Sequence, residues 1–158
     1  MKSMLRFQRQ DLHVSVEKNK TIYAVIDTNV LVSALLTKNE DSPTVQVYAA
    51  IAEGIIIPLY HRDIIEEYYD VLCRPKFRFS KEMILSVIKM IMKYGVEVFP
   101  KPTGEILIDM DDLIFYEVAM EKREDNSYLV TGNNKHYPVR DFIVTPAEMM
   151  EIVYNQYY

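Results

Sequence analysis

Residues 24–36 read AVIDTNVLVSALL. The stretch is apolar apart from Asp27-Thr28-Asn29 in its middle. The run leading into it, TIYAVID, has the β-branched and aromatic character of a short buried strand, and the run after it continues as helix through Leu36. A carboxylate thus falls where a buried strand meets a buried helix. Burying a lone ionised carboxylate costs several kcal/mol or shifts its pKa until it takes up a proton. Asp27 must therefore cap the helix, which is a routine use, or serve the protein's chemistry.

Outward from this junction, strand and helix signals alternate. Residues 38–43, KNEDSP, are a loop, with Ser42 as N-cap and Pro43 at the first position of a helix that Gly54 ends. IIIPLY follows as a strand, with Pro58 arguing that it stops early or lies at an edge. HRDIIEEYYDVLC is an amphipathic helix, RPKFRFS breaks it, and SKEMILSVIKMIMKYG is a second one, capped by Ser80 and Gly95. VEVFP is a short strand, and the helix beginning in IDMDDLIFYEVAM opens with acids. SYLVT is a strand, GNNKHYPVR a loop, DFIVT the last strand, and TPAEMMEIVYNQ a closing helix capped by Thr145. This alternation predicts an α/β fold with a mainly parallel sheet. Residues 1–20 are polar and weakly patterned and read as an N-terminal extension, with LHVSV at 12–16 a candidate edge strand, so the domain spans 21–158.

The 158 residues suffice for one sizeable core. No apolar run is free enough of charge to span a membrane, and the N-terminus lacks the continuous apolar segment of a signal peptide. A single cysteine, Cys73, cannot form an internal disulfide, which suits the cytoplasm; it reads as a packing residue. The net charge of −5 argues against holding nucleic acid by charge alone, but not against a local basic rim working with bound metal ions.

In an open parallel sheet the functional crevice lies beyond the carboxyl ends of the strands. Asp27 stands at one such end, Asp109, Asp111 and Asp112 precede a later helix, and Thr131-Gly132-Asn133 follows another strand. Clustered carboxylates repel one another unless a cation neutralises them, and an all-oxygen site suits Mg²⁺ or Mn²⁺. Each group also has an ordinary use. The three aspartates can be first-turn acids favoured by the helix dipole, and Glu66, Glu67 and Asp70 a solvated helix face. Glu67 lies at the edge of the apolar stripe beside Val71, and Glu66 points further out. His13, His61 and His136 show no metal-ligand spacing, and His13 and His61 read as surface residues.

DTNVLVSAL, EYYDVLCRPKF, DMDDLIFYEVA and LVTGNNKH, in this order, resemble the PIN-domain family, and in particular the branch of VapC-like ribonucleases identified as toxins of toxin–antitoxin systems. The resemblance covers residues 22–153. It implies a Rossmann-like three-layer α/β/α fold and hydrolysis of RNA phosphodiester bonds with Mg²⁺ or Mn²⁺. It also implies a homodimer and an antitoxin partner that occludes the site. Carried over by position, the metal-binding and catalytic acids are Asp27, Glu67 and Asp112, with Asp109 as a helper or cap. Thr28 and Asn29 are then the hydrogen-bonding supports of Asp27, with Thr131 a further support. The family's fourth acid falls at Asn133, whose side chain can offer a neutral oxygen ligand. Lys135, His136 and Arg140 flank that loop as candidate RNA contacts. Arg74, Lys76 and Arg78 interleave with Phe77 and Phe79 as a second candidate grip, or else form a solvated loop with its rings in the core. The alternative to an active nuclease is a catalytically weak or inactive module of the same fold that binds RNA or a protein partner.

Overall fold

The computed structural model describes residues 20–157. The strand expected at 12–16, His13 and all but the last residue of the proposed extension lie outside the described residues. Strand β1 (Ile22–Ile26) is followed by helices α1 (Thr28–Leu36) and α2 (Pro43–Ala52), then β2 (Ile56–Tyr60) and α3 (Arg62–Leu72). A 3₁₀ turn at Pro75–Phe77 leads into α4 (Lys81–Tyr94) and β3 (Val96–Glu97). After a long loop and a 3₁₀ turn at Met110–Asp112 come α5 (Leu113–Glu121), β4 (Ser127–Val130), β5 (Ile143–Val144) and α6 (Pro146–Tyr157).

The strands form one sheet in the order β3-β2-β1-β4-β5, and every pairing is parallel. Parallel strands need crossover helices, and these cover both faces to give a three-layer α/β/α domain. The fully buried side chains Ile22, Ile26, Ile56, Leu59, Leu31, Ile64, Tyr68 and Phe115 come from the central strands and the helix faces turned to them. At roughly 1.5–3 kcal/mol for each large apolar side chain, this burial is what holds the sheet between its helices.

Several helix ends behave as their sequences predict. Ser80 accepts a hydrogen bond from the Met83 amide at 3.1 Å. Thr145 and Glu148 form a reciprocal capping box: the Glu148 amide donates to Thr145 Oγ1 at 3.1 Å and the Thr145 amide to Glu148 Oε1 at 2.9 Å.

Other expectations need correction. Pro58 neither ends β2 nor marks an edge, because β2 lies between β1 and β3. Pairing with β1 runs through Pro58 and pairing with β3 starts only at Leu59, so the missing amide forfeits no bond to β3. Gly95, by contrast, caps α4 as expected, and glycine is also required there for space: a Cβ would collide with the carbonyls of Ile91 and Pro58. His61 is a helix cap rather than a simple surface residue, its Nδ1 accepting from the Asp63 amide at 3.1 Å. Cys73, expected in the packing, is exposed.

Candidate active site

Strands β1 and β4 are neighbours at the centre of the sheet, and the chain leaves them toward opposite edges, which opens a crevice beyond their carboxyl ends. Ile26 pairs with Val130, so the next residues, Asp27 and Thr131, emerge side by side. Thr131 Oγ1 donates to Asp27 Oδ2 at 2.8 Å, and the Tyr137 hydroxyl donates to the same oxygen at 3.2 Å.

Asp27 occupies the N-cap position of α1, yet its side chain makes no capping hydrogen bond. It is buried and held by the two hydroxyls, and among the described residues no donor reaches its Oδ1. The routine capping use of this carboxylate is therefore absent.

The residues around Asp27 tie three elements together. Thr28 donates its hydroxyl to Glu67 Oε2, joining the start of α1 to α3. Asn29 Oδ1 accepts from the Gly132 amide at 3.1 Å and so fixes the loop after β4. Glu67 is half-buried, whereas Glu66 is exposed and pairs with Arg62 at 3.2 Å. Burial raises the Glu67 carboxyl above its ordinary range, the charges of Asp27, Asp111 and Asp109 add to this, and the Thr28 hydroxyl opposes it.

Asp109 acts as a cap, its Oδ1 accepting from the Asp111 amide at 3.0 Å. Asp112 stands at the N-cap position of α5 without capping it. Among the described residues its Oδ2 is buried without a hydrogen bond, facing His136 Nδ1 at ion-pair distance, 3.4 Å. Burial, reinforced by Asp27 and Asp109, pushes its carboxyl up to about 6 against the pull of His136. The Tyr137 phenol is raised by burial and then by Asp27, Asp112 and Glu67, so the fields of all three carboxylates meet at that ring.

The other anticipated residues are dispersed. Asn133 is exposed and lines a separate cleft with Asn29, Ser33 and Thr44, its amide donating to Thr131 Oγ1 at 2.9 Å. Lys135 is exposed, and Arg140 is engaged by Glu105 at 3.1 Å. Arg74, Lys76 and Arg78 are exposed on and beside the turn after α3. The sequence reading missed Tyr137. A tyrosine in a polar loop carries no periodic signal, and its contact with Asp27 spans 110 positions.

The donors gathered here are carboxylate oxygens, which suit a hard divalent cation. Asp112 Oδ2, buried and without a hydrogen bond, is the atom such an ion would satisfy. Among the described residues and in this conformation, no three His, Cys, Asp or Glu side chains are grouped closely enough to hold one ion.

A family model described as PIN domain matches residues 23–135. The match takes in Asp27, Glu67, Asp112 and Asn133 and ends before Tyr137. No curated protein matches the chain. The matched length is well over half of the chain, and the all-parallel sheet between helix layers agrees with it: the chain belongs to the PIN-domain family, whose fold is that of nucleases.

Proposed function

We propose that the protein is a metal-dependent endoribonuclease, with Asp27, Glu67 and Asp112 holding Mg²⁺ or Mn²⁺. The observation that carries this reading is Asp27 itself: a buried carboxylate at a helix start that declines the cap and is held by Thr131 and Tyr137 at the crevice. An ion held by these carboxylates would supply Lewis-acid polarisation of the scissile phosphate and would lower the pKa of a water toward neutral.

The chain's own residues do the positioning. Thr131 and Tyr137 fix Asp27, leaving Oδ1 unengaged. Thr28 fixes Glu67, and His136 opposes proton uptake by Asp112. Lys135, exposed in the turn at Asn134–His136, offers a charge to the RNA backbone. Thr28, Asn29 and Thr131 also lock the strand ends and the loop after β4, so the carboxylates stand on rigid elements.

The finer reading is a toxin acting in the cytoplasm as a homodimer and restrained by an antitoxin protein. Exposed Leu85 and Met92, on one flank of α4, give such a dimer apolar surface. No described helix is long and apolar enough to cross a membrane.

A second reading, a weak or inactive RNA- or protein-binding module, is favoured by one observation. Asn133, where the resemblance puts a fourth acid, carries no charge and lines a cleft with Ser33 and Thr44.

Incubation with labelled single-stranded RNA separates the two readings. The nuclease reading expects cleavage with Mn²⁺ or Mg²⁺ that EDTA abolishes and added metal restores. RNA binding without cleavage at any metal concentration overturns it in favour of the second.

A further inference from the structure

Helix α3 turns Ile64, Tyr68 and Leu72 into the core at helical spacing, and all three are buried. A leucine or phenylalanine would fill the middle position as well, so the Tyr68 hydroxyl needs its own account. A buried hydroxyl without a partner costs its full desolvation. Tyr68 donates this hydroxyl to the Ile26 carbonyl, 42 positions away and one residue before Asp27. Its ring, 1% exposed, meets the buried Phe115 ring with centroids 6.2 Å apart and planes at 55°.

Each of these contacts falls beside one of the three carboxylates. Tyr68 follows Glu67 on α3. Ile26 ends β1 and precedes Asp27. Phe115 lies three residues beyond Asp112, on the same face at the start of α5. The bond from the Thr28 hydroxyl to Glu67 completes a bracket, in which consecutive residues of α3 hold the residues on either side of Asp27. Burial, and after it the charges of Asp27 and Glu67, raise the Tyr68 phenol well above its ordinary range, so the group lies in both fields and remains a donor at neutral pH.

We propose that Tyr68 is a positioning residue: through the Ile26 carbonyl and the Phe115 ring it fixes, relative to one another, the three backbone segments that carry Asp27, Glu67 and Asp112. The inference rests on the nuclease reading above for what the carboxylates bind. Among the described residues the carboxylates are not grouped closely enough to hold one ion, and on fixed carriers only side-chain rotation is left to gather them. Removing the strut adds backbone motion to that rotation, and an ion is then held less well. A tyrosine that merely fills the core makes a different expectation: its loss lowers stability and leaves metal binding alone.

The test reads Mn²⁺ binding apart from cleavage, by calorimetric titration of the wild type, Tyr68→Phe, Phe115→Leu and Ser127→Ala, with melting curves in EDTA on each preparation. Ser127 is the comparison. Its buried hydroxyl also donates to a backbone carbonyl, that of Ala119, and also joins a strand to a helix, but at the amino end of β4, away from the carboxylates. The net worth of one such bond corresponds to roughly 2- to 13-fold in an equilibrium constant. Tyr68→Phe is expected to weaken Mn²⁺ affinity by about fivefold, Phe115→Leu to weaken it as well, and Ser127→Ala to leave it unchanged, although both hydroxyl losses lower the melting midpoint. At saturating Mn²⁺, Tyr68→Phe is expected to lower kcat for RNA cleavage and leave KM unchanged, because Tyr68 is buried out of reach of RNA. Mn²⁺ affinity in Tyr68→Phe equal to that in Ser127→Ala overturns the inference, as does a raised KM with kcat intact. If Tyr68→Phe does not fold, Phe115→Leu decides by the same comparison. Wild type that binds no Mn²⁺ overturns the inference and the nuclease reading together. Wild type that binds Mn²⁺ but cleaves no RNA overturns the nuclease reading alone, and the affinities still decide the role of Tyr68.

Discussion

Asp27→Asn is expected to lower RNA cleavage by at least about a hundredfold, from the several kcal/mol that a metal's charge stabilisation supplies. The same change is expected to leave the fold intact. Asparagine keeps the shape of the side chain and an oxygen that can accept from Thr131 and Tyr137, the two groups that hold Asp27 now. The substitution takes no cap from α1, because the Asp27 side chain caps nothing. Removing one charge also relieves repulsion on Asp112 and Glu67, both of which Asp27 pushes upward. Cleavage rate and thermal midpoint should be measured on one preparation. Full activity would exclude Asp27 as a required metal ligand, and a collapse of the midpoint would show that the Asp-Thr-Asn junction is structural.

Asp112→Asn is expected to stabilise the metal-free protein at pH 7 by about 1–2 kcal/mol and to make it less sensitive to pH. The sign follows from the direction of the shift. The folded protein holds a proton on Asp112 up to about pH 6, whereas the ordinary value for the side chain is 3.8. Between those values the folded state binds more protons than the unfolded state, so stability falls as pH rises from about 4 to about 6. Above that window the cost is constant, and it is reduced because the side chain is still partly exposed to solvent. The substituted amide carries no charge to lose or gain. Urea unfolding in EDTA at several pH values from about 4 to about 7 checks the difference between the two proteins, since the raised Glu67 adds a slope of the same sign to both. With Mn²⁺ present the order should reverse, because a ligand that binds only the folded protein stabilises it in proportion to its affinity. Identical pH profiles in the two proteins would show that Asp112 is not strained by its surroundings.

Much of the fold could be read from local chemistry. The junction at Asp27 stood out because a polar triplet interrupts two apolar runs of different period. The box at Thr145 and Glu148 and the cap at Ser80 follow from side chains acting within three residues of themselves. The error over Pro58 and the further demand on Gly95 both concern partners distant in sequence. Whether Pro58 is tolerated depends on where β3 begins to pair, and the need for glycine at position 95 depends on the Pro58 carbonyl. The site divides the same way. Glu67 was separable from Glu66 by helical phase, and the structure places Glu67 on the Thr28 hydroxyl and Glu66 in solvent with Arg62. Tyr137 was not legible, because its importance comes only from the register that brings Thr131 and the following loop against Asp27. Arg140 looked free for RNA, yet Glu105, from the long loop before α5, engages it.

Whether Asp27, Glu67 and Asp112 share a divalent ion decides the proposed mechanism. A crystal grown with Mn²⁺, with data collected at the manganese absorption edge, tests this directly. The expected result is an anomalous peak in the crevice within about 2.2 Å of an oxygen of each of the three carboxylates, with Asp27 Oδ2 still held by Thr131 and Tyr137. No peak there at a Mn²⁺ concentration that supports RNA cleavage, or an ion held without Asp27, would contradict it.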